Sequence, residues 1–191
     1  TDYERDPAGL DGAEFATANC FVTRAMLERV GGFDERYTSA WREDSDLQFS
    51  ILESGGHITR ALDAVVLHPV RPAPWGVSLT QQKKSQFDAL LYKKHRDFYK
   101  ERINSPPWDY YGIVLSIIVA VICAFVGAWA SVFAMFAVWL LLTAWFCARR
   151  LHDTTLRPLH VLEMIWTSIL IPPMSVYWRL RGALRFRVAF L

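Results

Sequence analysis

The sequence is poor in cysteine, with only Cys20, Cys123 and Cys147 among 191 residues. Their odd number and wide spacing fit neither a disulfide framework nor a zinc site. Two of them lie in apolar segments, where they read as small buried hydrophobes in a reducing compartment. A signal-peptide pattern of basic start and short apolar core is also missing. The chain starts at Thr1 without an initiator Met, and we expect a natural N-terminal part upstream of it. Internal repeats and low-complexity tracts are absent as well. The most telling absence is of charge: Tyr110 to Ala148 runs for 39 residues without a charged side chain or a histidine. One membrane crossing takes about 20 apolar residues, so this run is too long for one and right for two. A core helix apolar all round at that length would have no soluble partner. A membrane hairpin follows, turning at Gly127-Ala128-Trp129-Ala130-Ser131.

Charge is unevenly spread. Residues 1–109 carry 14 Lys/Arg and 17 Asp/Glu, a net −3, whereas residues 110–191 carry 7 and 2, a net +5. The front half has the balance of a soluble domain and the back half is apolar with a basic fringe. This gives no reason to expect nucleic acid. The basic end suits anionic lipid instead.

Three blocks are expected. In the first, residues 1–78, Phe15 to Val22 reads as a buried strand. Thr23 caps a short helix through Val30, which stops at Gly31-Gly32. A loop from Asp34 to Ala40 leads to a second helix with Leu47, Ile51 and Leu52 on one face, ending at Gly55-Gly56. Ala61 to His68 reads as another strand, closed by a proline-rich stretch at 69–74. Strand, helix, helix, strand predicts part of an α/β domain. In the second block, residues 79–107, a charged helix over 79–103 puts Phe87, Leu90, Leu91 and Phe98 on one side and lysines on the rest. It is either a solvated helix or one lying on the headgroups, and Pro106-Pro107 ends it. The third block, 108–191, holds the hairpin (about 110–148), an apolar segment (about 159–178) and a basic tail. That segment carries Glu163 and is expected to break at Pro172-Pro173. Arginines flank both of its ends, and both flanks prefer the cytoplasm, which a re-entrant or interfacial segment satisfies better than a third crossing.

Within the first block, Glu43, Asp44 and Asp46 put three carboxylates into four positions beside Trp41 and Arg42. A fold does not need like charges packed so closely. Their setting resembles the acceptor-side half of a family 2 glycosyltransferase. The resemblance is carried by Phe33-Asp34-Glu35 after the double glycine, then Glu43-Asp44-Ser45-Asp46-Leu47 and Gly55-Gly56. Ala18-Asn19 before them and Ala89-Leu90-Leu91-Tyr92-Lys93-Lys94-His95 ahead of the membrane add to it. It implies a GT-A-type α/β domain tethered by C-terminal helices in a plasma membrane (the bacterial inner membrane), with the catalytic part in the cytoplasm.

The resemblance also implies a chemistry: transfer of a sugar from a nucleotide-sugar donor to a lipid-linked or glycan acceptor, with inversion. An acceptor hydroxyl is a poor nucleophile and needs a positioned carboxylate to take its proton. Flanking carboxylates raise the pKa of such a base. Asp44, or else Asp46, is then the base; with Asp44 in that role, Glu43 and Asp46 shape its field or bind acceptor. Alternatively, Asp44 or Ser45 merely caps the next helix. His68 would be a ligand of a divalent cation, Mg²⁺ or Mn²⁺, that holds the donor diphosphate. Asn19, Trp41 and Arg71 would touch substrate: Trp41 stacks on a sugar or else fills a gap, and Arg71 meets a phosphate or else the membrane surface. The family's Asp-x-Asp motif and a glycine-rich phosphate loop are both missing, so most of the cation's ligands and the nucleotide site are expected upstream. That gap keeps open a rival reading: a non-catalytic membrane interaction protein built on a degenerate transferase half.

Overall fold

The structure is a computed structural model that describes residues 14–61, 63–67, 69, 72–103 and 106–190. Its α-helices are α1 (Arg24–Val30), α2 (Glu43–Glu53), α3 (Val77–Gln81), α4 (Gln86–Lys94), α5 (Arg96–Phe98), α6 (Trp108–Phe125), α7 (Trp129–Leu151) and α8 (Pro158–Phe186).

The expected α/β domain is not seen: the described residues are 68% helical, with no strand or sheet among them. The first expected strand holds a 3₁₀ turn, Thr17–Asn19, between extended residues Ala16 and Cys20. The second leaves Val65, Val66 and Leu67 exposed. Extended dihedrals and β-branched residues do not make a strand unless a neighbouring backbone completes the ladder. Here the two segments touch through a side chain, the Asn19 amide donating to the Ala64 carbonyl at 3.1 Å.

The expected helices form. Thr23 caps α1 by accepting from the Met26 amide at 3.3 Å, and Gly31 closes it at φ 80, a left-handed conformation that suits glycine. The charged stretch over 79–103 is not one continuous helix. It runs as α3, a 3₁₀ turn (Gln82–Ser85), α4, α5 and a π turn (Tyr99–Ile103). Phe87, Leu90 and Leu91 are fully buried, in a core shared with Tyr37, Phe49, Tyr99, Phe186 and Phe190. Each such large side chain contributes roughly 1.5–3 kcal/mol by leaving water. The apolar face of α4 is therefore spent inside the protein, largely against the end of α8.

Three helices, α6, α7 and α8, are long and apolar enough to cross a membrane. The first two form the expected hairpin. It turns at Gly127 (φ 75), and at its base Arg149 pairs with Asp109 at 2.8 Å while Tyr110 packs edge-on to Phe146. The expected break at Pro172-Pro173 does not occur, and α8 stays helical for 29 residues with both prolines inside. Each proline removes one hydrogen bond and crowds the preceding turn, a strain that surrounding contacts can hold. Ile171 and Pro172 are buried, Ile171 beside Ile113 and Phe146.

The partners of α8 are more polar than its hydropathy suggests. Arg150 donates to Thr167 and Ser168, Ile171 meets Ile113, and Arg179 donates to the Tyr111 hydroxyl. From Thr167 to Arg179, about 18 Å of helix, the hairpin residues that α8 meets in these contacts all lie at the hairpin's base. The polar segment 76–93 runs along the same helix. The Gly76 amide donates to Glu163, Gly182 lies against the Gln86 backbone, and Lys93 donates to the Phe186 carbonyl at 2.8 Å.

Candidate functional site

The acidic turn sits at the start of α2. Arg42, the residue before the helix, has φ 74, and its carbonyl accepts the Asp46 amide at 2.9 Å. A left-handed conformation costs a non-glycine residue on the order of 1–2 kcal/mol. Charge-assisted hydrogen bonds of about 1.5–3 kcal/mol can offset it, and Arg42 has such a partner: its guanidinium donates to Asp88 of α4 at 2.5 Å. Trp41 is tied to the same oxygen, its indole N–H 3.3 Å away, with the Arg42 guanidinium 4.9 Å over its ring. The other Asp88 oxygen accepts from Arg179 of α8 at 3.1 Å. One buried carboxylate thus ties together the approach to α2, helix α4 and helix α8.

The three carboxylates of the turn have different fates. Asp44 is half-buried in the first turn of α2, where the helix dipole favours negative charge, and its carboxylate accepts the Thr17 hydroxyl. Glu43 has one carboxylate oxygen buried without a hydrogen-bond partner. Burial pushes its pKa up, and the charge on Asp44 adds to the rise. Asp46 is buried and already engaged. Lys94 donates to it at 2.7 Å, the Tyr37 hydroxyl lies 3.2 Å away, and His95 Nε2 also lies at 3.2 Å.

That second centre is a closed network. Burial works to raise the Asp46 pKa, but His95 and Lys94 outweigh it and hold the group below the usual carboxylate range. Burial likewise works to lower the His95 pKa, and Asp46 and Glu53 outweigh it, so that it ends raised. Glu53 lies 2.9 Å from His95 Nδ1, though out of line for a hydrogen bond. Burial, with the Asp46 charge next, drives the Tyr37 phenol far above its ordinary range. Lys94 also donates to Asp34 at 2.8 Å; Asp34 is held well below the ordinary range, chiefly by its hydrogen bond from Arg36. Asp46 therefore clamps α2 to α4 and is not available to a substrate.

The sequence-predicted residues thus divide. Glu43, Asp44 and Trp41 come together at one turn, with Trp41 40% exposed on its open side. Asn19 stands two residues from Thr17 and is spent on the Ala64 carbonyl. His68 and Arg71 fall outside the described residues. No group of three or more His, Cys, Asp or Glu able to hold a metal occurs among the described residues, so the expected divalent cation finds no fitting donor set there. Sequence reasoning passed over Asp88, Arg42 and Arg179. The available signal was Asp88 itself, an acid set inside the apolar run Phe87 to Leu91. In comparisons with known proteins, no family model, no curated protein and no solved structure matches this chain.

Proposed function

We propose that this chain serves the acceptor side of a glycosyl transfer carried out at a membrane surface, with Asp44 as general base. The reading rests on the family resemblance of the acidic turn, and one structural observation supports the choice of residue. Of the two aspartates in the cluster, Asp46 is consumed by Lys94 and His95, while Asp44 remains half-exposed, with Thr17 as its hydrogen-bond partner. In the reaction, an acceptor hydroxyl of a lipid-linked or glycan substrate loses its proton to the Asp44 carboxylate. Its oxygen bonds to the anomeric carbon of a nucleotide-sugar, the bond from that carbon to phosphate breaks, and nucleoside diphosphate leaves with the electron pair. Glu43, whose pKa is raised chiefly by burial, stands beside the base.

The same proposal places the turn on the cytoplasmic face of a plasma membrane and lays α8 along that surface. If α8 crossed the bilayer, the segment beside it would carry Lys83, Lys84 and Asp88 into the hydrocarbon, at several kcal/mol for each charge. Lying flat, α8 turns Leu159, Leu162, Trp166, Tyr177, Leu180 and Leu184 outward to lipid. It then keeps its arginines at the headgroups, on the side the positive-inside rule assigns to the cytoplasm.

Replacing Asp44 with Asn tests the reading. Transfer by the protein in its native membranes is expected to fall by roughly 10²–10⁴-fold, the usual worth of a general base. Retention of full transfer by Asp44→Asn would sink the assignment.

A further inference from the structure

We infer that Arg179 is a positioning residue for the acidic turn, acting from the membrane helix α8 through Asp88. The chain of contacts is short and buried. Arg179 is 7% exposed and Asp88 4%. Arg179 donates to one Asp88 oxygen at 3.1 Å and to the Tyr111 hydroxyl at 3.1 Å, which fixes its fork between α4 and the start of α6. Its guanidinium also lies 4.5 Å from the Phe190 ring centre. The other Asp88 oxygen holds Trp41 and Arg42, the two residues that lead into Glu43 and Asp44.

Three features make this more than adhesion between helices. First, among the described residues Asp88 is the only carboxylate in an ion pair with either arginine. Second, Arg42 holds a left-handed backbone at the residue where α2 begins, so the direction of the first turn depends on what grips its side chain. Third, Gly182, three residues beyond Arg179, has no room for a side chain: a Cβ there would come within 2.3 Å of the Gln86 carbonyl oxygen. Helix α8 therefore meets α4 at a set distance, and a small displacement of α8 passes to Asp88 rather than being absorbed. Seating of α8 on the membrane and the aim of Asp44 become one structural variable.

The activity part of this inference rests on the transfer reading above; the positioning part does not. The experiment uses the full chain in native membranes and compares Arg179→Gln, Arg179→Lys and Arg150→Gln. Arg150 is a second buried arginine, which joins α7 to α8 through Thr167 and Ser168 without touching Asp88. Hydrogen exchange of amides 43–47 reports the turn, and exchange across α6 and α7 reports the fold. Transfer is read as kcat and acceptor KM, with a panel of nucleoside-diphosphate sugars and native membrane lipid as acceptor. Arg179→Gln is expected to speed exchange at 43–47 and leave α6 and α7 unchanged. It should also lower kcat by roughly tenfold to a hundredfold with acceptor KM little changed, the pattern of a misaimed base. Arg179→Lys restores part of both, and Arg150→Gln moves neither. Unchanged exchange at 43–47 in folded Arg179→Gln overturns the proposal, and so does an equal loosening by Arg150→Gln. Loosening specific to Arg179→Gln in a protein whose parent transfers no sugar upholds the positioning and removes the transfer reading instead.

Discussion

The hairpin and α8 have the same outward credentials, since all three helices pass the length and hydropathy expected of a membrane span. Their surroundings differ. The most apolar stretches of α6 and α7 are each only 11% buried, whereas that of α8 is 39% buried. The inward face of α8 carries His160, Thr167, Ser168, Ser175 and Arg179 from one end to the other. Hydropathy reports what a helix can tolerate outside. Lateral contacts report what would have to travel with it into the bilayer. For α8 that companion is a segment bearing Lys83, Lys84 and Asp88, and the proposed surface placement of the helix rests on it.

This contrast can be broken most directly with charge. Leu141→Arg, in the middle of α7, should cost about 2.5–3.5 kcal/mol of insertion free energy. It is expected to release much of the protein from alkali-washed membranes. Trp166→Arg and Tyr177→Arg, either side of the midpoint of α8, should cost less than about 1 kcal/mol, because a surface helix lets the guanidinium reach the headgroups. Equal losses at all three positions would make α8 a third crossing.

A smaller effect separates the two regions by packing. Gly182→Ala puts a methyl group into the Gln86 backbone, which cannot yield, and should destabilise the protein by about 1–3 kcal/mol. The same change at Gly112, on the hairpin, meets only the end of the Leu142 side chain at 3.3 Å and should be close to neutral. Thermal unfolding in detergent measures both.

The smallest effect is one of pH, and it belongs to the α2–α4 clamp alone. The Asp46 pKa is lowered, so its contribution is present above about 4 and fades as pH falls through the folded value. The His95 pKa is raised, so its contribution is complete below about 6.5 and is lost as pH rises through the folded value. The clamp should be tightest between these limits. Above them, exchange in α2 should quicken, while the hairpin stays unchanged. A pH response that survives His95→Gln would remove the histidine from the account.

Much of this was legible in the residues. Thr23 and Gly31 mark the ends of α1 because capping is chemistry of neighbours in the chain. The hairpin is written as plainly, in 39 residues without charge. The site was half legible: a cluster of like charges pointed to the turn, but the difference between Asp44 and Asp46 depends on Lys94 and His95, some 50 positions away. The expected strands and the expected break at Pro172-Pro173 misled for a common reason. Each was argued from local preference alone, and each outcome depends on a neighbour: a ladder partner that the described residues do not supply, and a packed face that holds a proline-bearing helix together.

By itself, then, the sequence determined where helices start, that two helices apolar and long enough to cross a membrane form a hairpin, and that carboxylates crowd one turn. These follow from composition, period and capping, which act within a few residues. Tertiary structure alone decided which aspartate stays open, that Asp88 joins Arg42 to Arg179, and what α8 must lie beside. Those outcomes depend on desolvation and ion pairing between distant segments, whose energies exist only once the chain has brought them together.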